Sequence, residues 1–553
     1  MSEKLTATWH WLRDEKRIIW FEYSALALAV LLPLLLPGFI LTLDMVFTPH
    51  IGFPTDVSNT YPLQLLLWLL HFILPADVIQ KIILFAILLF SGVGMHSLLQ
   101  SLNMKERIGA DLWRLGLYFG GIFYMINPFT YSRFMAGQWL FLLGYAMVPF
   151  FIKSLLKFFT LPSLQTVVPL AAWSFAIVTA SIHHIAILFI IALLLPLLAW
   201  GFHYFRKSRA KQYFIWSGVL LAALAVLCSY WLIPALMGNG SIGEVVTSRG
   251  SADFSAFATG GGSLLGVIGE VVRLQGFWAE SRQLFTLPQD IVPAWGVLFL
   301  IIWILVITGA SKAWNASRLL VTLAVTCIVL GVILAATPLV AWVSQILPLV
   351  SGYREPDKFA NLIALGYAML GTLGAAFTAK WATEKFHDIG GQVVIMICLL
   401  LPIAVTPAML WGFGGQLSPK QYPAGWTAMD NKLVSLPGAK RVLFLPWHQY
   451  MAFKFSDRII ATPAEKFFTV PTVASDDPEF GSVTPTMPNK EKEDIKTALG
   501  HLETLVPTLA SHHITYILLA KDDDASSYDY INHQAGIKLI DENDSLKLYE
   551  VTP

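Results

Sequence analysis

The sequence predicts an α-helical polytopic membrane protein of about eleven transmembrane helices, with a small C-terminal extracytoplasmic α/β domain. The chain of 553 residues is 56% hydrophobic and only 13% charged, and its mean hydropathy is +0.62. Soluble domains typically carry about 25% charged residues. Apolar stretches recur up to residue 411 and then give way to the composition of a soluble domain. We therefore predict a transmembrane domain at 1–411 and an extracytoplasmic domain at 412–553.

Apolar stretches of suitable length mark the candidate membrane spans. The stretch at 115–126 is short and must extend into its flanks to cross a bilayer, and the region 164–200 is either a two-helix hairpin or one long kinked element. The predicted spans are 18–41, 78–99, 115–126, 140–156, 164–181, 185–202, 214–236, 291–308, 319–342, 359–378 and 393–411.

Basic residues in the loops predict the orientation. If the N-terminus is cytoplasmic, the outward loops before residue 412 hold few basic residues, which is the positive-inside pattern. This pattern requires the region 164–200 to cross twice, and it predicts a multi-pass protein of the cytoplasmic membrane with its C-terminal domain outside. The inward loops then hold Lys105, Arg107, Lys153, Lys157, Arg206, Lys207, Arg209, Lys211, Lys312, Lys380 and Lys385.

Strand and helix patterns alternate in the C-terminal domain. Strands are predicted at 441–446 and 514–520, followed by a hairpin of 537–540 with 546–551. Helical segments are predicted at 491–510 and 528–534, which makes this a small α/β module.

The first outward loop contains two carboxylates, Asp44 and Asp56. Asp44 lies where the first span ends, and a carboxylate there costs free energy unless it is solvated, paired or functional. Asp44 is thus either a helix-end charge that reaches water or a general base that activates a hydroxyl. The segment 61–74 of the same loop is too short to span and is predicted to lie along the membrane.

Two further outward segments carry isolated polar residues. The segment 127–138 contains Arg133 and Gln138, and Arg133 either reaches the membrane interface or binds a phosphate through its planar donors. His183 and His184 lie at the tip of the 164–200 hairpin. Adjacent residues on a helix diverge by about 100°, so the pair is a weak metal signal. We interpret it either as a polar tip or as a substrate or metal contact.

The segment 351–359 concentrates charge at the start of a span. Pro356 suits the first helical position, which places Arg354 and Lys358 at a helix N-terminus. Helix N-termini favour anions, so two cations there indicate a bound anionic ligand. The alternative is internal pairing with Glu355 and Asp357.

The outward loop 237–290 is longer than ordinary connections. It contains three consecutive glycines and then an amphipathic stretch that ends near Trp278. We interpret it either as a lid or as a peripheral surface helix.

These features resemble the GT-C superfamily of integral membrane glycosyltransferases, especially YfhO-type proteins and the membrane core of arabinofuranosyltransferases. The resemblance implies that Asp44 in the first outward loop is the catalytic base, and that segment 61–74 is the membrane-parallel helix that such loops contain. It also implies that Arg354 and Lys358, in the sequence Arg-Glu-Pro-Asp-Lys-Phe, bind the donor phosphate. GT-C proteins often carry an acidic pair in this loop, whereas this chain has a lone Asp44, with Asp56 twelve residues on.

An enzyme of this type transfers a sugar from a polyprenyl-phosphate donor to a glycan, lipid or protein acceptor outside the cytoplasm. In such an enzyme we expect Arg133 to join Arg354 and Lys358 at the donor phosphate. We expect the substrates to be oriented by Asp56, Gln138, His183, His184 and Glu355. Trp447, His448 and Tyr450 either hold an acceptor chain or pack against the membrane part. The net charge of +1 is not concentrated on one face, and nucleic acid is not an expected partner.

Two other functions stay open from the sequence, a transporter or flippase and a non-catalytic scaffold for lipid-linked glycans. Transporters place ionisable residues at mid-membrane depth, whereas the spans here are nearly free of charge. No cofactor is indicated with certainty, and a divalent cation (Mg²⁺ or Mn²⁺) is left open because no set of three or four ligands stands out.

Overall fold

The computed structural model describes residues 15–202, 209–237, 251–346, 348–438, 440–477 and 489–552. The protein is a multi-pass integral membrane protein: within these residues, eight helices are long and apolar enough to cross a membrane. They are Arg17–Leu35, Ala76–Gln100, Trp139–Thr160, His184–Gly201, Ala210–Leu236, Trp295–Ala313, Arg318–Ala336 and Pro356–Val405.

Shorter helices cover the rest of the predicted spans. Ala110–Met125 covers the short third stretch, and Leu164–Ala180 precedes His184–Gly201, so the region 164–200 forms two helices. The last two predicted spans lie in one helix, Ala360–Val405, which is kinked at Phe386 and His387. The total of eleven spans therefore stays a prediction. Arg206, Lys207 and residues 238–250 of the long predicted loop lie outside the described residues.

Three predicted spans extend too far at their C-terminal ends. The first ends at Leu35 rather than at residue 41, because Pro33 and Pro37 disrupt the helix. The predicted span 319–342 ends at Ala336, and a separate helix, Leu339–Ile346, follows Pro338. The last predicted span, 393–411, ends at Val405, two residues before Pro407.

Close helix packing forms the centre of the membrane part. The buried first half of Ala360–Val405 packs against Ala110–Met125 and Trp295–Ala313. A Cβ on Gly309 would lie 1.9 Å from the carbonyl oxygen of Leu370, and one on Gly374 would lie 1.9 Å from that of Leu305. Small residues let the two backbones touch, as is usual where helices associate in lipid.

Basic residues of the predicted inward loops meet at one end of the helices. The Lys380 ammonium donates to the Arg107 carbonyl at 2.7 Å, and the Arg209 guanidinium donates to the Thr160 carbonyl at 2.7 Å. Lys312 lines a surface pocket together with Lys380. The basic residues that the sequence assigns to inward loops therefore lie at the same end of the helices in the structure.

The C-terminal domain contains a five-stranded mixed sheet. Its order is β6 (Thr472–Val473), β3 (Val442–Leu445), β7 (Tyr516–Ala520), β9 (Leu546–Val551) and β8 (Ile537–Glu542), with β3 parallel to both neighbours and β9 antiparallel to both of its own. The four predicted strands are present. The predicted helix 491–510 is two helices, Lys490–Leu499 and Leu502–Ser511, and a 3-10 helix, Ala525–His533, covers the shorter one.

Two small sheets complete the extramembrane part. β1 (Phe39–Ile40) pairs with β2 (Pro419–Lys420), which connects the end of the first span to the start of the C-terminal domain. β4 (Tyr450–Ala452) and β5 (Ile459–Ala461) form a hairpin inside a stretch that the sequence predicts to be irregular. The domain boundary at residue 411 stays a prediction. The remaining helices are Tyr61–His71, Lys105–Ile108, Pro128–Met135, Ser251–Ala256, Leu264–Val272, Trp278–Ser281, Pro288–Ile291, Leu410–Gly414, Ala424–Ser435 and Ala464–Phe467.

A candidate active site between the helix ends and the C-terminal domain

A cavity of about 450 Å³ opens where the helix ends meet the C-terminal domain. Its wall brings together residues from eight separate stretches of the chain, including Gln449 and Tyr450 of the C-terminal domain. Among the described residues, six of the nine predicted site residues line it: Asp44, Gln138, His183, Arg354, Glu355 and Lys358. Asp56, Arg133 and His184 lie outside this lining.

The loop that carries Asp44 is fixed against the turn after Pro128–Met135. The Asp44 N–H donates to the Ala136 carbonyl at 3.1 Å, and the Thr42 hydroxyl donates to the Met135 carbonyl at 2.5 Å. Gly137 has φ +73°, and a Cβ there would lie 2.3 Å from the Met45 nitrogen. This contact requires glycine, because any side chain would displace the Asp44 loop.

The C-terminal domain reaches the same loop from the other side. The Leu43 N–H donates to the Ile459 carbonyl at 3.3 Å, and the Ala461 N–H donates to the Leu43 carbonyl at 2.8 Å. Ile459 and Ala461 belong to β5, and its hairpin partner β4 is thereby held over the cavity. There the Tyr450 hydroxyl donates to Asp44 Oδ1 at 2.6 Å. Asp44 is therefore held between the membrane part and the C-terminal domain.

The surroundings of Asp44 favour its protonated form. Enclosure by protein raises the pKa of Asp44, although the side chain stays accessible from the cavity. The hydrogen bond from Tyr450 and the positive charges of Lys358 and Arg354 lower that pKa, while the negative charge of Glu355 raises it. The net shift is upward, which suits a carboxylate that must accept a proton.

A buried cluster of charges begins in the cavity wall, with Glu355 and Lys358, and extends behind it. Arg133 is 0% exposed, and its Nη1 donates to Gln138 Oε1 at 2.6 Å and to Glu355 Oε2 at 3.1 Å, while its Nη2 pairs with Asp357. Lys358 Nζ lies 3.2 Å from Glu355 Oε1. Burial alone would raise the pKa of Glu355, but Lys358 and Arg133 hold it well below its usual range.

Arg354 faces the cavity from the segment before this cluster. Its guanidinium carbon lies 4.4 Å from the centroid of the Phe257 ring, in the geometry of a cation–π contact. Phe257 and Trp278 belong to the long loop 237–290, so this loop supplies part of the cavity wall. The 3-10 helix Pro356–Phe359 begins at Pro356, as the sequence predicts.

The two adjacent histidines have different environments. His183 lines the cavity, and its ring lies 5.7 Å from that of Tyr353. His184 is fully buried, 4.6 Å from the ring of Phe141 and 3.2 Å from the Asn361 amide. Asp56 is exposed on the first loop. Within the part of the chain that the structure describes, no three His, Cys, Asp or Glu side chains gather as a metal site requires.

Glu280 is a buried acid that the sequence does not single out. It accepts hydrogen bonds from the Ser132 hydroxyl and from the Gly276 N–H, the latter at 2.8 Å. Burial raises the pKa of Glu280 to about 7. Glu280 is one of several acidic residues in the long loop and has no distinguishing sequence pattern, and its partner Ser132 is 148 positions away.

The fold and this cavity define a class: multi-pass membrane proteins in which an extramembrane domain covers a polar cavity at the helix ends. No family model matches the chain, and no curated protein matches its sequence. The fold is similar to three cryo-EM structures of the arabinofuranosyltransferase AftD from mycobacteria. The TM-scores are 0.62, 0.59 and 0.54, the identities are 12%, 13% and 14%, and the second and third structures are of a mutant, R1389S.

Each of these matches covers 97% of this chain and 40–42% of the AftD chain, so this chain spans about two fifths of the length of AftD. At such low identity the likeness shows the fold alone. The resemblance to the fold of an arabinofuranosyltransferase, which we inferred from the sequence, is confirmed.

Proposed function

We propose that this protein is a membrane glycosyltransferase that transfers a sugar from a polyprenyl-phosphate donor to an extracytoplasmic acceptor. The observation that carries the proposal is the cavity in which Asp44, Arg354 and Lys358 share one wall. The AftD-like fold supports it, and so does the scarcity of Asp, Glu, Lys and Arg in the eight apolar helices of the described residues. The acceptor is a cell-envelope glycan, a glycolipid or a protein.

Asp44 is the general base in this proposal. The acceptor hydroxyl attacks the anomeric carbon of the donor sugar and passes its proton to Asp44. The bond between that carbon and the phosphate oxygen breaks, and its electron pair leaves with the lipid phosphate. The raised pKa of Asp44 supports this role, because a stronger base takes the proton more readily.

Arg354 and Lys358 bind the phosphate of the donor. Charge builds up on this group as it leaves, and preorganised cations facing that charge give the largest single effect in many enzymes. Arg354 lies in the cavity wall with its guanidinium carbon 4.4 Å from the centroid of the Phe257 ring. Arg133 lies behind the wall, so we assign it to positioning Glu355 and Gln138 rather than to direct phosphate contact.

The cavity side of the helices is extracytoplasmic in this proposal. The basic residues that meet at the other end of the helices support a cytoplasmic location for that end and for the N-terminus. A divalent cation held by the protein alone does not fit the described residues. Of the two carboxylates in the wall, Glu355 is already paired with Arg133 and Lys358, which leaves Asp44. No step is therefore routed through a metal ion.

The test is sugar transfer by the full-length protein in nanodiscs, supplied with a panel of polyprenyl-phosphate sugars. We expect the wild type to transfer or hydrolyse at least one donor. Asp44→Asn is expected to lower the rate by about 10²–10⁴-fold and Arg354→Ala by about 10²–10³-fold. Asp56→Asn is the matched control, because Asp56 is an exposed carboxylate of the same loop outside the cavity lining.

Other outcomes identify the other functions. Donors that bind but stay intact with the wild type would indicate a scaffold. Donor movement between leaflets of a vesicle without cleavage would indicate a flippase. A rate that survives Asp44→Asn would remove Asp44 as the base.

A further inference from the structure

A second cavity lies at the opposite end of the helices. Its volume is about 460 Å³, and Lys153 and Lys157 near the end of Trp139–Thr160 line it. Trp139, at the start of that helix, lines the first cavity. Lys157 follows Trp139 by 18 positions in this helix, which is roughly 27 Å at 1.5 Å per residue. The two cavities therefore lie at opposite faces of the membrane.

The charge of the second cavity is positive. Lys153 and Lys157 are one helical turn apart, and the Lys153 ammonium donates to the Ser97 hydroxyl. Arg209 adds a third cation beside them, because its guanidinium donates to the Thr160 carbonyl at 2.7 Å. Among the residues described, no Asp or Glu lines this cavity. Its electrostatic complement is an anion.

The remaining wall is mainly apolar. Leu156, Leu195, Ala199 and Leu319 come from three different helices and form a surface between the helix ends. A small hydrated anion would leave this surface without a partner. A ligand that fits both parts must combine an anionic group with an apolar chain.

We propose that this cavity binds an anionic phospholipid from the leaflet at that end of the protein. The headgroup phosphate pairs with Lys153 and Lys157, and an acyl chain lies along the apolar wall. Basic pockets between membrane helices bind anionic headgroups in this manner. The proposal does not depend on glycosyl transfer.

A neighbouring pocket at the same end provides a comparison. It contains Lys312 and Lys380, but Glu384 also lines it, 3.9 Å from the Lys380 ammonium. The carboxylate offsets part of the positive charge and repels an anionic headgroup. Substitutions of these two lysines therefore control for the loss of two charges at this membrane face.

The experiment is native mass spectrometry of the full-length protein in mild detergent, with phosphatidylglycerol or phosphatidylcholine of identical chains added. We expect the wild type to retain phosphatidylglycerol in preference to phosphatidylcholine. The double variant Lys153→Gln/Lys157→Gln should bind phosphatidylglycerol at least tenfold more weakly, since each basic side chain contributes about a factor of five. Lys312→Gln/Lys380→Gln should bind it like the wild type.

Equal retention of the two lipids would overturn the proposal. Unchanged binding by the Lys153/Lys157 double variant, or an equal loss in the control variant, would also overturn it. Displacement by millimolar inorganic phosphate would identify free phosphate as the ligand and would also overturn it. If the double variant does not fold, Lys157→Gln alone is decisive, because Lys157 is exposed and its substitution leaves the packing intact. Unchanged lipid selectivity in that folded variant would reject the site.

Discussion

Two arginines of the candidate site, Arg354 and Arg133, have the same sequence signal and opposite environments. Each is a cation in a short segment between apolar helices. Arg354 lies in the cavity wall, whereas Arg133 is completely buried and bound to Gln138, Glu355 and Asp357. The difference shows that a cation near a helix end can either face a ligand cavity or pair with buried carboxylates of the protein. The burial of its side chain distinguishes the two roles.

The comparison predicts a loss of stability from one arginine and a loss of turnover from the other. Arg133→Leu leaves Asp357 buried without its arginine partner and leaves Glu355 with Lys358 alone, and breaking such a cluster costs about 3–5 kcal/mol. Arg354→Leu should cost about 1 kcal/mol or less, because its side chain is partly exposed. Thermal unfolding in detergent measures the stability change of both variants, and the sugar-transfer assay measures the loss of turnover.

The same pair of variants can break the comparison. If Arg133→Leu unfolds at the temperature of the wild type, the buried cluster does not stabilise the protein. If Arg354→Leu loses as much stability as Arg133→Leu, then Arg354 stabilises the fold as Arg133 does, and burial does not distinguish their roles.

Glu280 predicts a pH dependence of stability. Its pKa is raised to about 7 from an ordinary value of 4.5, so the folded state holds a proton that the unfolded state has lost between these values. The free energy of unfolding therefore falls as pH rises from about 4.5 to about 7. Glu280→Gln removes this penalty and should be more stable than the wild type at pH 8 by roughly 3 kcal/mol.

Thermal unfolding of both proteins at pH 5 and pH 8 measures this difference. The two curves should converge at the lower pH, where wild-type Glu280 is protonated. A Glu280→Gln variant that is less stable than the wild type at pH 8 would show that the ionised carboxylate is the favoured form. Asp56→Asn serves as a control, because Asp56 is an exposed carboxylate outside the cavity lining.

Tyr450 predicts the smallest effect, a shift in the pH profile of turnover. Its hydrogen bond lowers the pKa of Asp44, so Tyr450→Phe should raise that pKa. A base must be unprotonated to act, and the rate falls as pH drops through its pKa. The acid limb of kcat/KM should therefore move to higher pH, with a several-fold loss at neutral pH from a hydrogen bond to a charged group. An acid limb at the same pH as in the wild type would show that Tyr450 does not set the pKa of the base.

The sequence predicts the charged residues of the wall because each lies next to an apolar stretch. Asp44 follows the first span, and Arg354 and Lys358 precede Ala360–Val405, so the alternation of helices places them at one end. The sequence does not predict Glu280, because its contact with Ser132 depends on how the long loop folds back. Nor does it separate Arg133 from Arg354, since burial arises only from packing.

The C-terminal domain shows the same limit. Strands β3, β7, β8 and β9 follow from continuous or alternating apolar residues, whereas the two- and three-residue strands β2, β4, β5 and β6 are too short for such a pattern. The sequence marks Tyr450 as a candidate contact. It cannot give the pairing of Leu43 with Ile460, which brings the Tyr450 hydroxyl to Asp44.

The hydrogen bond between Tyr450 and Asp44 joins residues that are 406 positions apart in the chain. A ribosome that adds about 5–20 residues per second needs roughly 20–80 s to make that stretch. The early helices thus enter the bilayer while their carboxylate still lacks its phenol partner and the hairpin above it. A newly made molecule has a complete candidate site only when its last quarter, residues 412–553, has emerged, folded and docked. Translation and docking therefore set the delay between membrane insertion and completion of the site.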